Sequence, residues 1–278
     1  MGRLTRRGHV TAAIEIWTYR NLIYNLAQRE LRARYKKSVL GWAWSLINPA
    51  STLVIFSLVF GVFLKQTPPS FGNGDTGVFA LYLFAGLVVW NFFNATINGS
   101  ITALQNSGQL LNKVYFPASC PAIANLMTVV LQGVIEGGIL AVVMVVLGNV
   151  SVTFLLFPFT LLLLAPFALG IGLAVSIFNV YLRDVGYLVS IGMNLLFYAT
   201  PIVYPVTAIP EERWGLPLRT IFSLNPVAQF VGWSRDAFYL LRWPSLANVA
   251  VMLVISLGTF LIGWTIFSWR SKNVTEEL

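Results

Sequence analysis

One cysteine, one histidine and ten acidic residues are all that 278 positions contain of three side-chain types on which much catalysis and metal binding depend. A lone Cys120 excludes an internal disulfide and any cysteine-built metal site. His9 stands in a polar, basic stretch, where a solvated imidazole is the expected state. Charged residues make up 10% of the chain, against about 25% in soluble domains. Short enzymatic signatures are missing too. There is no GxxxxGK[ST] loop, so the chain does not bind ATP by that route, and no HExxH, CxxC or GxSxG. No pair of carboxylates sits close in sequence at a membrane edge. The sequence therefore offers no catalytic residue and no metal ligand set.

Apolar residues are abundant instead, at 57% of the chain with a mean hydropathy of +0.75. That composition belongs to a polytopic membrane protein, with no room for a large soluble domain. A formal charge of +8 would suit nucleic acid if it were spread over a polar surface. It is not. Half of the 18 basic residues precede Val39, where they read as an orientation signal and a lipid-headgroup contact.

The organising stretch is RELRARYKKSVLGWAWSLINP, Arg29 to Pro49. Basic residues crowd up to Lys37, and from Val39 to Leu64 no charged side chain follows. Those 26 positions would make a helix of ~39 Å, enough to cross ~30 Å of hydrocarbon with tilt. Lysine and arginine collect on the cytoplasmic side, so the amino terminus is expected inside. The run is too long for a cleavable signal peptide and has no small-residue cleavage site nearby.

Residues 1–10 read as a basic tail, and 11–37 as a helix lying on the membrane surface. Ala12, Ile16, Tyr19, Ile23 and Ala27 form its apolar stripe, while Arg29, Arg32 and Lys36 continue the spacing with charge. Six spans are expected near 39–64, 79–104, 119–147, 154–178, 187–203 and 247–268. Alternation then makes 105–118, 179–186 and the carboxyl tail cytoplasmic, and the larger share of basic residues falls on that side. Segment 204–246 mixes apolar residues with Arg219, Arg235 and Asp236, and reads as short helices dipping into the outer leaflet. Within it, Asn225-Pro226 is a helix start. The expectation divides the chain at 38/39: a basic tail with its interfacial helix, then a six-span domain over 39–278.

Several spans carry stripes at helical spacing. Phe56, Phe60 and Phe63 follow Leu53 in the first, and Asn91, Asn94 and Asn98 align in the second. Asn125, Thr128, Gln132 and Glu136 share a face of the third, and Tyr187, Ser190, Asn194 and Tyr198 one of the fifth. Polar groups facing lipid are costly, so these faces should turn to the bundle interior or a wet passage. Glu136 is the one acid deep in a span. With no intramembrane cation to partner it, a structural carboxyl is favoured over a proton relay.

RELRARYKKSVLGWAWSLINP, then KVYFPAS, then NVYLRDVGYLVSIGMNLLFYATPIVYP, in that order, resemble the permease subunit of polysaccharide exporters of the ABC-2 type. The resemblance covers nearly the whole chain. It implies an all-α integral membrane protein with six transmembrane helices, in a bacterial cytoplasmic membrane with both termini inside. It also implies pairing with itself and with two copies of a separate ATP-binding subunit. That partner would hold ATP and Mg, leaving this chain without a cofactor. By position, 105–118 would be the coupling segment, ending in Lys113, Val114, Tyr115, Phe116 and Pro117. The doorway for a lipid-linked substrate would lie at the basic shelf of Arg32, Arg34, Lys36 and Lys37 with Trp42 and Trp44. The passage would be lined by Phe56, Phe60, Phe63, Asn91, Asn94, Asn194 and Tyr198. O-antigen, capsule, teichoic acid and galactan are the substrates such a family implies. The alternatives are an ABC-2 exporter of a small lipid or drug and, from another class, a membrane-embedded glycosyl- or acyltransferase.

Overall fold

A computed structural model describes residues 17–36, 38, 40–63, 69–111, 113–114, 116–206, 209–212, 215 and 217–271. Lys37, Tyr115, the tail 1–10 and the first part of the expected surface helix, 11–16, lie outside the described residues, as do the side chains of Arg34 and Trp42. Among the described residues all regular structure is helical. The principal helices are α1 (Arg20–Tyr35), α2 (Trp44–Phe56), α3 (Phe79–Asn106), α4 (Cys120–Val146), α5 (Leu156–Tyr181), α6 (Asp184–Ala199), α7 (Leu218–Ser223), α8 (Pro226–Arg235) and α9 (Leu246–Arg270).

Five of these are long and apolar enough to cross a membrane: α2 with its continuation to Phe63, α3, α4, α5 with the single turn before it, and α9. The chain is therefore a multi-pass membrane protein. Of the six spans expected, α6 is the short one, at 16 residues or ~24 Å. Pro201 sets its end. A residue before proline is driven out of the helical region, and Thr200 is extended with ψ at 132°. The first span also differs from expectation. It begins at Trp44 rather than residue 39, because Gly41 takes a left-handed φ of +50° and a tight turn, Gly41–Ala43, precedes the helix. Beyond Phe56 the helix widens to π geometry over Ser57–Phe63.

α3 is the central post. In its most apolar window 83% of residues are buried, against 6% for α2. It meets α4, α5 and α8 along its length, with Phe93 stacked on Phe167 at 5.7 Å between ring centroids. Packing between membrane helices gains little from excluding water, so close approach matters more. The seam between α5 and α9 shows this. A methyl group built at Gly263 would overlap the backbone of Gly170, and one at Gly170 would stand 2.6 Å from the Cα of Phe260.

At one end of the bundle, α1 lies against α4. Its expected stripe is the face it buries: Ile23 and Ala27 are covered, with Tyr19, Leu22 and Leu26 packed beside them. The same cluster takes in Phe116, Cys120, Leu173, Trp264 and Phe267. At the other end, Asn225 caps α8 as expected, its Oδ1 accepting the Val227 N–H at 3.0 Å. α8 continues as a π turn, Asp236–Leu240, which leaves carbonyls without helical partners. The loop before α5 supplies them. Asn149 Nδ2 donates to the carbonyls of Phe238 at 2.8 Å and Tyr239 at 3.2 Å, and the Thr153 hydroxyl donates to that of Ala237 at 2.8 Å.

Candidate functional site

Three hollows flank α3, and their linings sort the residues singled out in the sequence. The first is a groove of about 470 Å³ between α3 and α6, lined by Trp90, Asn94, Asn98, Ser190, Asn194 and Tyr198. One turn of α3 separates Asn98 from Asn94, and the Asn98 amide donates to the Asn94 carbonyl at 3.3 Å. Ser190 donates to the carbonyl of Gly186 at 3.0 Å. Trp90 and Phe197 meet edge to face at 5.3 Å, closing the floor. Tyr198 is exposed at the rim and takes the Tyr204 hydroxyl on its carbonyl at 2.7 Å. Carboxamides and a phenol along one wall are a poor match to lipid tails.

Three of the predicted passage residues, Asn94, Asn194 and Tyr198, thus come together here. The others do not join them. Asn91 turns to the α4 side of α3 with Ala95. Phe60 packs on Phe79 at 5.1 Å and on Phe56 at 5.9 Å, so these two rings bind the far end of α2 to α3. Phe63 is 74% exposed, rotated away from Phe60 by the π winding.

The second hollow, about 560 Å³, lies between α2, α3 and α4 and is lined by Trp44, Ser45, Asn48, Asn91, Gln132 and Glu136 among others. Gln132 Nε2 donates to Glu136 Oε1 at 3.0 Å and reaches the Ser45 carbonyl at 3.4 Å. The third, about 490 Å³, opens between α1, α3 and α4 and holds Arg29, Glu30, Asn106 and Asn125. It shares Ala95 and Val129 with the second, so the two adjoin.

On α1, Arg32 and Lys36 are exposed, as a headgroup contact requires. Past α3, Lys113 and Val114 are exposed and Pro117 is half-buried. Phe116 is not a surface residue: at 4% exposure it is wedged into the cluster that joins α1 to α4 and α9. It can act on a partner only by holding its neighbours in place.

Sequence reasoning placed Arg235 in the segment that dips into the outer leaflet, with no partner named for it. The structure buries it at 3% exposure at the end of α8. Its guanidinium donates to the carbonyls of Pro201 at 2.7 Å, Ile202 at 2.6 Å and Tyr82 at 3.2 Å, with the Tyr82 ring 3.9 Å away. Three carbonyl dipoles and a π face take the place of water around the charge. One cation so ties α8 to both α3 and the chain beyond α6. The visible signal was its setting, a single arginine inside PVAQFVGWSRDAFYLL.

Compared with known proteins, residues 21–239 match the family described as ABC-2 type transporter. The O-antigen export system permease protein RfbA of Myxococcus xanthus is 28% identical over 265 residues, covering 95% of this chain and 98% of that protein. The protein of the same name from Klebsiella pneumoniae is 27% identical over 78% of this chain and 80% of its own length. The polysialic acid transport protein KpsM of Escherichia coli is 25% identical, over 88% of this chain and 91% of its own.

Proposed function

We propose a specific task for this chain, which belongs to the ABC-2 type transporter family as a membrane permease subunit and not as an enzyme: it exports a lipid-linked polysaccharide through a channel formed with a second copy of itself. The observation that carries this reading is the groove of Asn94, Asn98, Ser190, Asn194 and Tyr198, a hydroxyl-matching surface on a helix whose outward side is otherwise uncovered. Tyr187, Leu188, Ile191 and Leu195 of α6 are exposed in the same way, and α2 is barely covered. Two such sides facing one another would enclose a corridor with rings for sugar C–H faces and amides for hydroxyls.

The motor is a separate ATP-binding subunit in two copies, which fits a chain lacking a phosphate loop. It docks at 105–118, where Lys113 and Val114 are exposed. Arg32, Arg34, Lys36 and Lys37 meet the lipid diphosphate at headgroup depth, and Trp42 and Trp44 stand at the doorway. On this reading both termini face the cytoplasm of a bacterium, 1–38 is the interfacial unit, and 204–246 closes the outer mouth without crossing the membrane.

Replacing Asn194 with leucine and Asn98 with leucine tests the assignment. Surface polysaccharide, measured by immunoblot or lectin binding, should fall while the amount of protein in the membrane stays the same. Depleting the chain should remove the polymer altogether. Intact surface polysaccharide after depletion would point instead to a small lipid or drug as the cargo.

A further inference from the structure

We infer that the hollow between α2, α3 and α4 is a docking site for one neutral hexose ring of the exported glycan, separate from the corridor between the two copies; this rests on the export reading above.

The lining is what such a ring requires. At about 560 Å³ the hollow falls in the ~300–1,000 Å³ range of small-molecule sites. Trp44, partly exposed at the rim, offers an aromatic face for the C–H side of a sugar. Opposite it, Glu136 is 7% exposed, and the carboxamides of Asn48, Asn91 and Gln132 converge beside it. Asn91 interacts with Glu136 from α3, and Gln132 does so from the preceding turn of α4. A carboxylate and several carboxamides are planar groups that can span neighbouring hydroxyls, accepting and donating at once. Val88, Phe92 and Val129 complete the wall with apolar surface.

Charge decides between ligands. Among the described residues no lysine, arginine or histidine lines this hollow, so none of them pairs with a phosphate there. The adjoining hollow carries Arg29 together with Glu30. Ser38 at the lip places the opening at the junction of α1 and α2.

The test uses the full chain in lipid nanodiscs and saturation-transfer-difference NMR with a panel of methyl hexosides, pyranose and furanose, and glycerol phosphate as the anionic control. At least one hexoside should receive saturation from the wild-type protein, and glycerol phosphate none that depends on Glu136. Glu136→Ala should weaken binding about five- to ten-fold, the loss of roughly one hydrogen bond. Trp44→Ala at the rim should do the same and does not disturb a buried residue, so it decides the matter if Glu136→Ala unfolds. Val254→Ala, on the exposed side of α9, should bind as wild type. No hexoside binding, or binding indifferent to both variants, overturns the site. The export reading fails on other grounds: polysaccharide that persists on the cell surface when the chain is depleted would reject that reading while leaving a measured hexose site standing.

Discussion

Two glycines five residues apart on α9 should respond to alanine in opposite directions. At Gly263 the added methyl would meet the Gly170 carbonyl carbon at 2.5 Å and its Cα at 2.8 Å. Both are backbone atoms and cannot rotate away, so the helices must part. Overpacking of this kind costs about 1–3 kcal/mol, and a backbone-to-backbone clash belongs toward the upper end. Alanine's better helix propensity returns up to ~1 kcal/mol, which leaves a net loss of roughly 1–2 kcal/mol. At Gly258 nothing stands within 4 Å of the new methyl, so only the propensity gain of up to ~1 kcal/mol remains. The two variants should therefore differ by about 2–3 kcal/mol, or roughly 5–10 °C in unfolding midpoint at the usual scaling for domains of 150–250 residues. Fluorescence-detected thermal unfolding of the purified protein in detergent reads this. Gly170→Ala should behave as Gly263→Ala does, because it meets Phe260 and Thr259 of the same seam. If Gly263→Ala and Gly258→Ala melt together, the small-residue account of the α5–α9 seam is wrong.

Other substitutions separate folding from partnership. Phe116→Ala should lose about 3–5 kcal/mol of stability by opening a cavity under α1. Val114→Asp, on exposed surface, should leave the melting curve unchanged and reduce co-purification with the ATP-binding subunit; the reverse pattern would refute the division. Asn149→Ala should cost about 1–3 kcal/mol by taking from the Phe238 carbonyl its Asn149 donor, while that of Tyr239 keeps the Gly72 N–H at 2.9 Å, with a lowered unfolding midpoint as the measure and an unchanged one as the refutation. Charge reversal of Arg34 and Lys36 to glutamate should weaken headgroup attraction by more than ten-fold, at ~1 kcal/mol per basic residue removed near the surface. Export should fall with membrane insertion intact, and normal surface polymer would count against the basic doorway.

Local pattern carried the reading of this fold as far as local pattern reaches. Charge-free runs located the apolar helices because burying an ion in hydrocarbon is costly whatever its neighbours. The cap at Asn225-Pro226 and the buried stripe of Ile23 and Ala27 were legible for the same reason: each is decided within a few residues. One boundary escaped: the left-handed turn at Gly41 shortened the first span, whereas the short fifth span and its interruption by Pro201 were legible from the proline itself. The asparagine row of α3 was visible as a row, but its division was not. Asn91 serves one hollow and Asn94 and Asn98 another because α4 and α6 approach α3 from different sides. Likewise Gln132 beside Glu136 follows from helical spacing, whereas the Ser45 carbonyl arrives from 87 residues away. Arg235 is the clearest case. Its acceptors lie 33, 34 and 153 residues distant, and without them a buried guanidinium is indistinguishable from a surface one.

The seat of Cys120 has a practical sequel. This sulfur, the chain's sole thiol, has no exposed surface within the cluster that joins α1 to α4 and α9. Maleimides and oxidants in the surrounding medium find nothing to attack in the native protein. A reporter thiol placed anywhere along α2 or α6 would then answer alone, with no need for a cysteine-free background, and disulfide trapping would test directly whether two copies meet along these helices.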